Sequence, residues 1–344
     1  MNIQVLRSRL EDDNSKTGVG NYADLIESML DDTGTETEII PFQLSVDKGI
    51  KNMIREGFID PLSRILAGRK RTDVIHVTLE YCSLLIPFAR AKKVVTFHHI
   101  AKNGEGNTRK GFVMWRFSAW VAVVFADKII TISPQTKEEI LQRYNVRPSK
   151  IEAVLYAPEG FSVLKDVEKE HIIGCMGTLN ARKNFASAIN VFGSIVKDDK
   201  FGDYKMMICG KGPLKNELLE QARSMGIGEK VAFVENLSKE EMVRFYNKCS
   251  LFLNTASHEG LGMATVEAQM CGTPVLYYED AEIPKEVTAA AVACRCEEDM
   301  AEKAKEILGD ECRMKELTEN GLEHSKELGR DFKEKTLDVY YSLL

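Results

Sequence analysis

Short apolar, β-rich runs alternate with helically spaced stretches along this chain, and the alternation runs through twice. The first series begins with MNIQVL and continues through TETEIIPF, DVIHVTL (73–79), KKVVTFHH (92–99), DKIITIS (127–133) and KIEAVLYAP. Helical spacing fills the gaps. In NYADLIESML apolar residues fall at 22, 25, 26, 29 and 30, and PQTKEEILQRYNV is opened by Ser133 and Pro134, a cap and first-turn pair. A polar stretch, LKDVEKEH (164–171), interrupts the pattern. The second series then runs IIGCMG, YKMMICG, KVAFVE, SLFLNTA and TPVLYY, with helices such as LKNELLEQARSMG and KEEMVRFYNKC between them. Strands alternating with helices specify parallel sheets covered by helices. Two such series predict an α/β protein with two parallel-sheet domains, 1–163 and 172–327, joined by a linker at 164–171. Such sheets bind ligands beyond the carboxyl ends of their strands, so two facing domains would put a cleft between them.

A length of 344 residues gives each domain enough chain for its own core. No apolar run approaches the roughly 20 residues of a membrane-spanning helix, and the start lacks the apolar centre of a signal peptide. Eight cysteines contain no C-x-x-C pair, and Cys175 and Cys209 sit in apolar runs. These features predict reduced, buried thiols and a cytoplasmic location. The net charge of -6 is unevenly spread: residues 51–150 hold 18 Lys/Arg against 8 Asp/Glu, whereas residues 1–50 hold 4 against 10. A basic middle in an acidic chain predicts an anionic partner on one face of the first domain.

The segment TGVGNYA satisfies G-x-G-x-x-[GA] through Gly18, Gly20 and Ala23, a dinucleotide fingerprint if read literally. That fingerprint puts its first glycine directly after strand one and an acidic residue at the end of strand two. Here eleven residues separate Leu6 from Gly18, and Glu36 and Glu38 precede the apolar part of strand two. The nicotinamide reading is disfavoured. What remains is a plain loop-to-helix turn, or a loop that brings two small residues to a helix start whose free N–H groups face an anion.

The most informative stretch is SHEGLGMATVEAQMCGTPVLYYEDAEIPKEV (257–287). Glycines at 260 and 262 put Glu259 in a loop, and ATVEAQM puts Glu267 about one turn inside a helix. The amides of Leu261 to Thr265 between them are the donors of a helix start, an anion pocket flanked by two carboxylates. Carboxylates beside an anion pocket suit a ligand carrying both diphosphate and sugar hydroxyls, which is a nucleotide sugar. This segment resembles the E-x7-E signature of the GT-B glycosyltransferases of family 4. GTLNARKNFASAINVF (177–192) looks like that family's phosphate-clamping loop, ICGKGPLKNEL (208–218) its next strand-turn-helix, VVTFHHI (94–100) its T-x-H segment, and GVGNY its glycine loop.

The resemblance implies a GT-B fold of two Rossmann-like domains facing across a cleft, with a last helix (about 328–344) packing back on the first domain. It implies that Glu267 accepts from ribose hydroxyls and that Glu259 contacts the transferred sugar. The amides of Gly262, Met263, Ala264 and Thr265 would help hold the sugar and phosphates, and Lys183 with Arg182 would neutralise the diphosphate. His98 would touch the donor sugar, while Gly18 and Gly20 would let backbone approach the phosphate or the sugar. The activity implied is retaining transfer of a sugar from a UDP- or GDP-sugar to a hydroxyl acceptor, such as a lipid-linked or cell-envelope glycan, with no cofactor and no metal. The chain contains no D-x-D, the usual metal–diphosphate pair.

Thr178, Leu261, Ala264, His99 and the segment YAPEG (156–160) depart from the family pattern and leave donor base and sugar open. A non-catalytic sugar-nucleotide binder and a GT-B epimerase or phosphorylase remain as rival readings. Residues 51–71 and 108–120 interleave basic and apolar residues, the second including both tryptophans of the chain. They are candidates for peripheral contact with an anionic membrane at its inner face, or for plain packing on the first sheet. No nucleic-acid-reading motif is present.

Overall fold

The computed structural model describes residues 1–8, 18–42, 55–68, 71–100 and 109–344. The chain forms two compact units, Met1–Tyr156 with Gly329–Leu344, and Ala157–Leu328. In the first unit, β1 (Asn2–Ser8), β2 (Glu36–Phe42), β3 (Val74–Val77), β4 (Lys92–Phe97), β5 (Lys128–Thr131) and β6 (Ile151–Ala153) form one sheet in the order β2-β1-β3-β4-β5-β6. Every neighbouring pair is parallel, with Val5 opposite both Ile39 and His76. In the second unit, β7 (Glu170–Met176), β8 (Lys205–Cys209), β9 (Val231–Val234), β10 (Cys249–Asn254), β11 (Val275–Tyr278) and β12 (Val292–Cys294) pair in parallel in the order β12-β11-β10-β7-β8-β9.

The inner strands are buried on both faces. That is why β3 reads VIHV and β10 reads CSLFLN rather than as a strict apolar–polar alternation. In each sheet the strand order reverses once, between β1 and β3 and between β7 and β10. Loops leaving the carboxyl ends of such a pair diverge to opposite faces and leave a crevice. The stretches predicted to carry the site, 177–192 and 257–287, begin just past the ends of β7 and β10 at that point.

The unit change falls between Tyr156 and Ala157 rather than after residue 163, and residues 164–171 do not behave as a free linker. The amide of Leu164 donates to Asn247 Oδ1 at 2.8 Å, the Lys169 ammonium donates to Thr273 Oγ1 at 2.5 Å, and β7 already begins at Glu170. Polar composition hid a strand entry whose charges lie outside the sheet.

The chain returns to the first unit through the helix Phe332–Tyr341. Its Tyr340 hydroxyl lies 2.6 Å from His76 Nδ1, His76 Nε2 lies 2.8 Å from Thr96 Oγ1, and Thr96 Oγ1 lies 2.9 Å from the Tyr22 hydroxyl. All four side chains are buried, so each polar group needs the next. Burial, with a smaller contribution from His98, pushes the His76 imidazole down to about 3, and it is neutral at pH 7. Cys296, just before the helix Glu297–Gly309, and Cys312, in the first turn of the helix Glu311–Glu327, are exposed, unlike the other six cysteines. Among the described residues, no helix is long and apolar enough to cross a membrane.

Candidate functional site

The loop after β7 is shaped by close backbone contact with the loop after β8. The Leu179 amide donates to the Lys211 carbonyl at 3.0 Å, and the Leu214 amide returns a bond to the Leu179 carbonyl at 3.1 Å. Gly210 (φ +143°) lies so near this loop that a Cβ would stand 2.0 Å from the Gly177 carbonyl oxygen, so no larger residue fits. The loop then makes one tight turn, Ala181–Lys183, capped by Asn180, whose Oδ1 accepts from the Lys183 amide at 3.2 Å.

The loop after β10 is tied to that turn. The Ser257 amide donates to the Arg182 carbonyl at 2.9 Å, and Thr255 Oγ1 donates to the carbonyls of Lys183 and Asn184, each at 3.0 Å. The Glu259 amide donates to the Glu282 carbonyl at 2.9 Å. These bonds bring Arg182, Lys183 and Glu259 together. Arg182 Nη1 donates to Glu259 Oε2 and to the His258 carbonyl, both at 2.8 Å, and the Lys183 ammonium donates to Glu259 Oε1. Burial alone would raise the Glu259 carboxyl, but the Lys183 and Arg182 charges beside it hold it below the ordinary carboxylate range. Two cations on one carboxylate leave a surplus positive charge in a half-buried crevice.

Gly262 (φ +91°) opens the helix Met263–Met270, and a Cβ there would press on Ile283 and Val287. Met263 and Ala264 occupy the first turn. Thr265 does not offer its amide to a ligand as the sequence suggested. That N–H bonds back to the Gly262 carbonyl at 2.9 Å, and the Thr265 hydroxyl accepts from Asn254 Nδ2 at 2.9 Å. A left-handed entry tightens the first turn and consumes the donor. Glu267, one turn further, is buried and accepts from the Tyr246 hydroxyl at 2.7 Å. Burial raises its carboxyl above the usual value, while the Tyr246 hydrogen bond and the charges of Lys183 and Lys239 oppose that rise.

The other predicted residues belong to the first unit. His98 follows β4 and is buried, with Nε2 2.9 Å from the Thr78 carbonyl. Burial pushes its imidazole down to about 4 despite that bond, helped by His99, so it is neutral, with Nε2 carrying the proton and Nδ1 an acceptor. Gly18 and Gly20 lie in the first turn of the helix Gly18–Asp32. The Gly18 carbonyl accepts from the Tyr156 hydroxyl at 3.3 Å, and Tyr22 of the same helix sets its ring edge-on to His98 at 5.0 Å.

Sequence reasoning missed Tyr246, Asn254 and Glu80. Tyr246 and Asn254 read as core positions of an amphipathic helix and a strand. Glu80 follows the carboxyl end of β3, a position that itself signals function. It is fully buried; Oε1 accepts from Trp115 Nε1 at 2.7 Å, and Oε2 has no partner among the described residues. Burial raises this carboxyl to about 7 against the hydrogen bonds from Trp115 and from the amides of Glu80 and His98. No group of His, Cys, Asp or Glu among the described residues is arranged to hold a metal ion.

Of the stretches singled out for membrane contact, residues 51–54, 69–70 and 108 lie outside the described residues. Within the first stretch, a π-turn Arg55–Ile59 leads into the helix Asp60–Ala67, which buries Pro61 and Ile65. The second forms the helix Arg109–Phe125. One side, with Trp115, Ser118, Ala119 and Ala122, turns inward; the other exposes Val113 (60%), Phe117 (51%), Trp120 (48%) and Val124 (48%). The rings of Phe117 and Trp120 stack at 5.9 Å.

Residues 158–324 match the family model described as glycosyl transferases group 1, and residues 34–155 match that of glycosyltransferase family 4. The O-antigen chain mannosyltransferase RfbU of Salmonella typhimurium is 25% identical over 56% of this chain and 58% of its own length. A Campylobacter jejuni alpha-1,4-N-acetyl-D-galactosaminyltransferase, named for a PP-undecaprenol-linked GalNAc saccharide, is 26% identical over 62% of this chain and 59% of its own. The chain thus spans less than two thirds of the curated relatives it matches. Anabaena Alr3699/HepE, solved in complex with UDP and glucose, superposes with a TM-score of 0.74 at 14% identity, over 99% of this chain and all of that one. That likeness identifies the fold as GT-B.

Proposed function

The chain belongs to the group 1 and family 4 glycosyltransferases, and from that premise we propose that it transfers a sugar from a nucleoside diphosphate sugar to a hydroxyl acceptor. The observation that carries this reading is the Arg182–Glu259–Lys183 cluster at the strand-order reversal of the second unit, with the start of the helix Met263–Met270 beside it. A diphosphate gains negative charge as its bond to the sugar breaks, and fixed cations and amide dipoles favour that charged state over the ground state. Glu267 would accept from ribose hydroxyls, Glu259 from the sugar, and the neutral His98 from a sugar hydroxyl through Nδ1.

The resemblance to family 4 carries retention of configuration into this proposal, and the carboxylates bear on the route by which it would occur. Glu259 is held by two cations and Glu267 by Tyr246, which suits ligands to a sugar nucleotide better than a double-displacement nucleophile. The acceptor hydroxyl would enter on the face from which the diphosphate leaves, and the departing phosphate oxygen would take its proton. A thermal-shift panel of UDP-, GDP-, ADP- and dTDP-sugars tests the donor. A true donor at about 100 times its dissociation constant stabilises by roughly 2.7 kcal/mol. No shift with any of the four would sink the reading.

Acceptors on O-antigen chains or PP-undecaprenol, as the relatives' names give for them, would suit the first unit's apolar ridge. The helix Arg109–Phe125 contains three basic residues and no acidic one, and its exposed Val113, Phe117, Trp120 and Val124 would enter the boundary of an anionic bilayer. The protein should float with liposomes containing anionic lipid and not with zwitterionic ones, and Phe117→Ser with Trp120→Ser should abolish flotation. Equal recovery from both kinds of liposome would remove the electrostatic attraction.

A further inference from the structure

We propose that Tyr246 is a positioning residue for the donor: its hydroxyl orients Glu267 and holds the carboxylate as an acceptor for the ribose hydroxyls. The proposal rests on the donor reading above and adds to it a residue that touches no ligand. Tyr246 stands on the helix Lys239–Lys248, which packs against the helix Met263–Met270 that carries Glu267. Its hydroxyl donates to Glu267 Oε2 at 2.7 Å, while Met176 Sδ lies 3.1 Å from the Tyr246 hydroxyl oxygen. With one proton to give, the hydroxyl gives it to the carboxylate, the stronger acceptor.

Tyr246 has little freedom to do anything else. Its ring packs against Phe161, Phe245 and Phe252, and its main-chain carbonyl accepts from Thr273 Oγ1 at 2.6 Å and from the Lys169 ammonium at 3.4 Å. The donor to Oε2 is therefore fixed from two sides. Oε1 receives no hydrogen bond from the described residues. One carboxylate oxygen is anchored to the protein, and the other keeps its lone pairs to accept from ribose hydroxyls.

The charged and titratable groups around Glu267 set the sign of the test. Lys183 from the loop after β7 and Lys239 from the facing helix favour the carboxylate, as does the Tyr246 hydrogen bond; burial opposes it. Glu267 in turn acts on the Cys271 thiol at the end of its own helix, which burial keeps protonated. Tyr246→Phe removes the hydrogen bond while keeping the ring. Glu267 then binds its proton at a higher pH and ceases to accept from ribose hydroxyls there.

Calorimetric titration of the full chain with UDP-glucose and with GDP-glucose, whose esterified phosphates do not themselves titrate between pH 5 and 8, tests this over that range. In the unmodified protein, affinity for the nucleotide sugar it binds should fall on the acid side. Tyr246→Phe should move that fall up by about one pH unit and weaken binding at neutral pH by about tenfold. Glu267→Gln should weaken binding at neutral pH and abolish the acid-side fall, and the double variant should match Glu267→Gln. A loss of packing alone would weaken binding equally at every pH. A Tyr246→Phe curve parallel to or superimposed on the parent, or additive losses in the double variant, would overturn the proposal. An acid-side fall that survives in Glu267→Gln would do the same, even if Tyr246→Phe failed to fold. Binding of neither nucleotide sugar by the unmodified chain would bring down the donor reading first, and this assignment with it.

Discussion

Lys183→Ala should lower kcat by about a hundred- to a thousandfold, the loss usual when one fixed donor is removed from a charge-developing transition state. Lys183 is nearly buried and pairs with one oxygen of Glu259 while Arg182 takes the other. Without it the cluster carries no surplus positive charge, since one cation then faces one carboxylate. Charge on the diphosphate grows between bound substrate and transition state, so the loss should fall on kcat more than on KM. Lys183→Arg should recover only part of the rate. The lysine stem lies across Gly177, where a Cβ would come within 2.6 Å of Lys183 Cε, and a planar guanidinium needs more width than that path provides. Steady-state kinetics with whichever nucleotide sugar the chain binds would decide. A kcat for Lys183→Ala within about threefold of the parent would remove Lys183 from the machinery.

Acidification should strip stability from the first unit, and Glu80 should blunt the loss. Unfolded histidine takes a proton near 6.5, whereas burial keeps His76 neutral to about 3 and His98 to about 4 in the fold. Between those values the unfolded chain binds more protons than the folded one, so stability falls with pH, by about 1.4 kcal/mol per pH unit for each histidine. Glu80 has the opposite sign. Its folded carboxyl holds a proton up to about 7 that the unfolded chain releases above its ordinary value of 4.5, so between those values acidification favours the fold by about 1.4 kcal/mol per unit. The net loss should be about 1.4 kcal/mol per unit from pH 6.5 to 4.5 and about twice that from 4.5 to 4. In Glu80→Gln the steeper slope should extend across the whole window. Both tryptophans, Trp115 and Trp120, lie in the first unit, so urea unfolding followed by their fluorescence reports on that unit. Equal slopes in parent and variant would show that Glu80 ionises normally.

The two parallel sheets are legible in the sequence because strands buried on both faces must be apolar almost throughout, and the helices between them keep a period that strands cannot. Glu259 and Glu267 are legible for a different reason. The glycines around them have few other uses, and Gly262 does hold a left-handed turn that a larger residue would strain. The Thr265 amide misled because the first turn of a helix is read from its position, while a tight entry redirects one of its donors to the Gly262 carbonyl. Tyr246 was invisible because a tyrosine on the inner face of an amphipathic helix looks like packing, and its hydroxyl gains meaning only from the neighbouring helix. Glu80 is a charged residue in an otherwise apolar setting, and only the fold shows that Trp115, from a helix some thirty-five positions later, reaches back to it.

The hydrogen bond between Tyr340 and His76 joins residues 264 positions apart, across the whole of the second unit. During synthesis, every residue of Ala157–Leu328 leaves the ribosome before the helix Phe332–Tyr341 does. The second sheet can therefore complete its interior while the first still has a vacancy beside His76 and Tyr22. The unit made before Ala157–Leu328 is completed after it, and a stop codon or frameshift ahead of Phe332 would injure Met1–Tyr156.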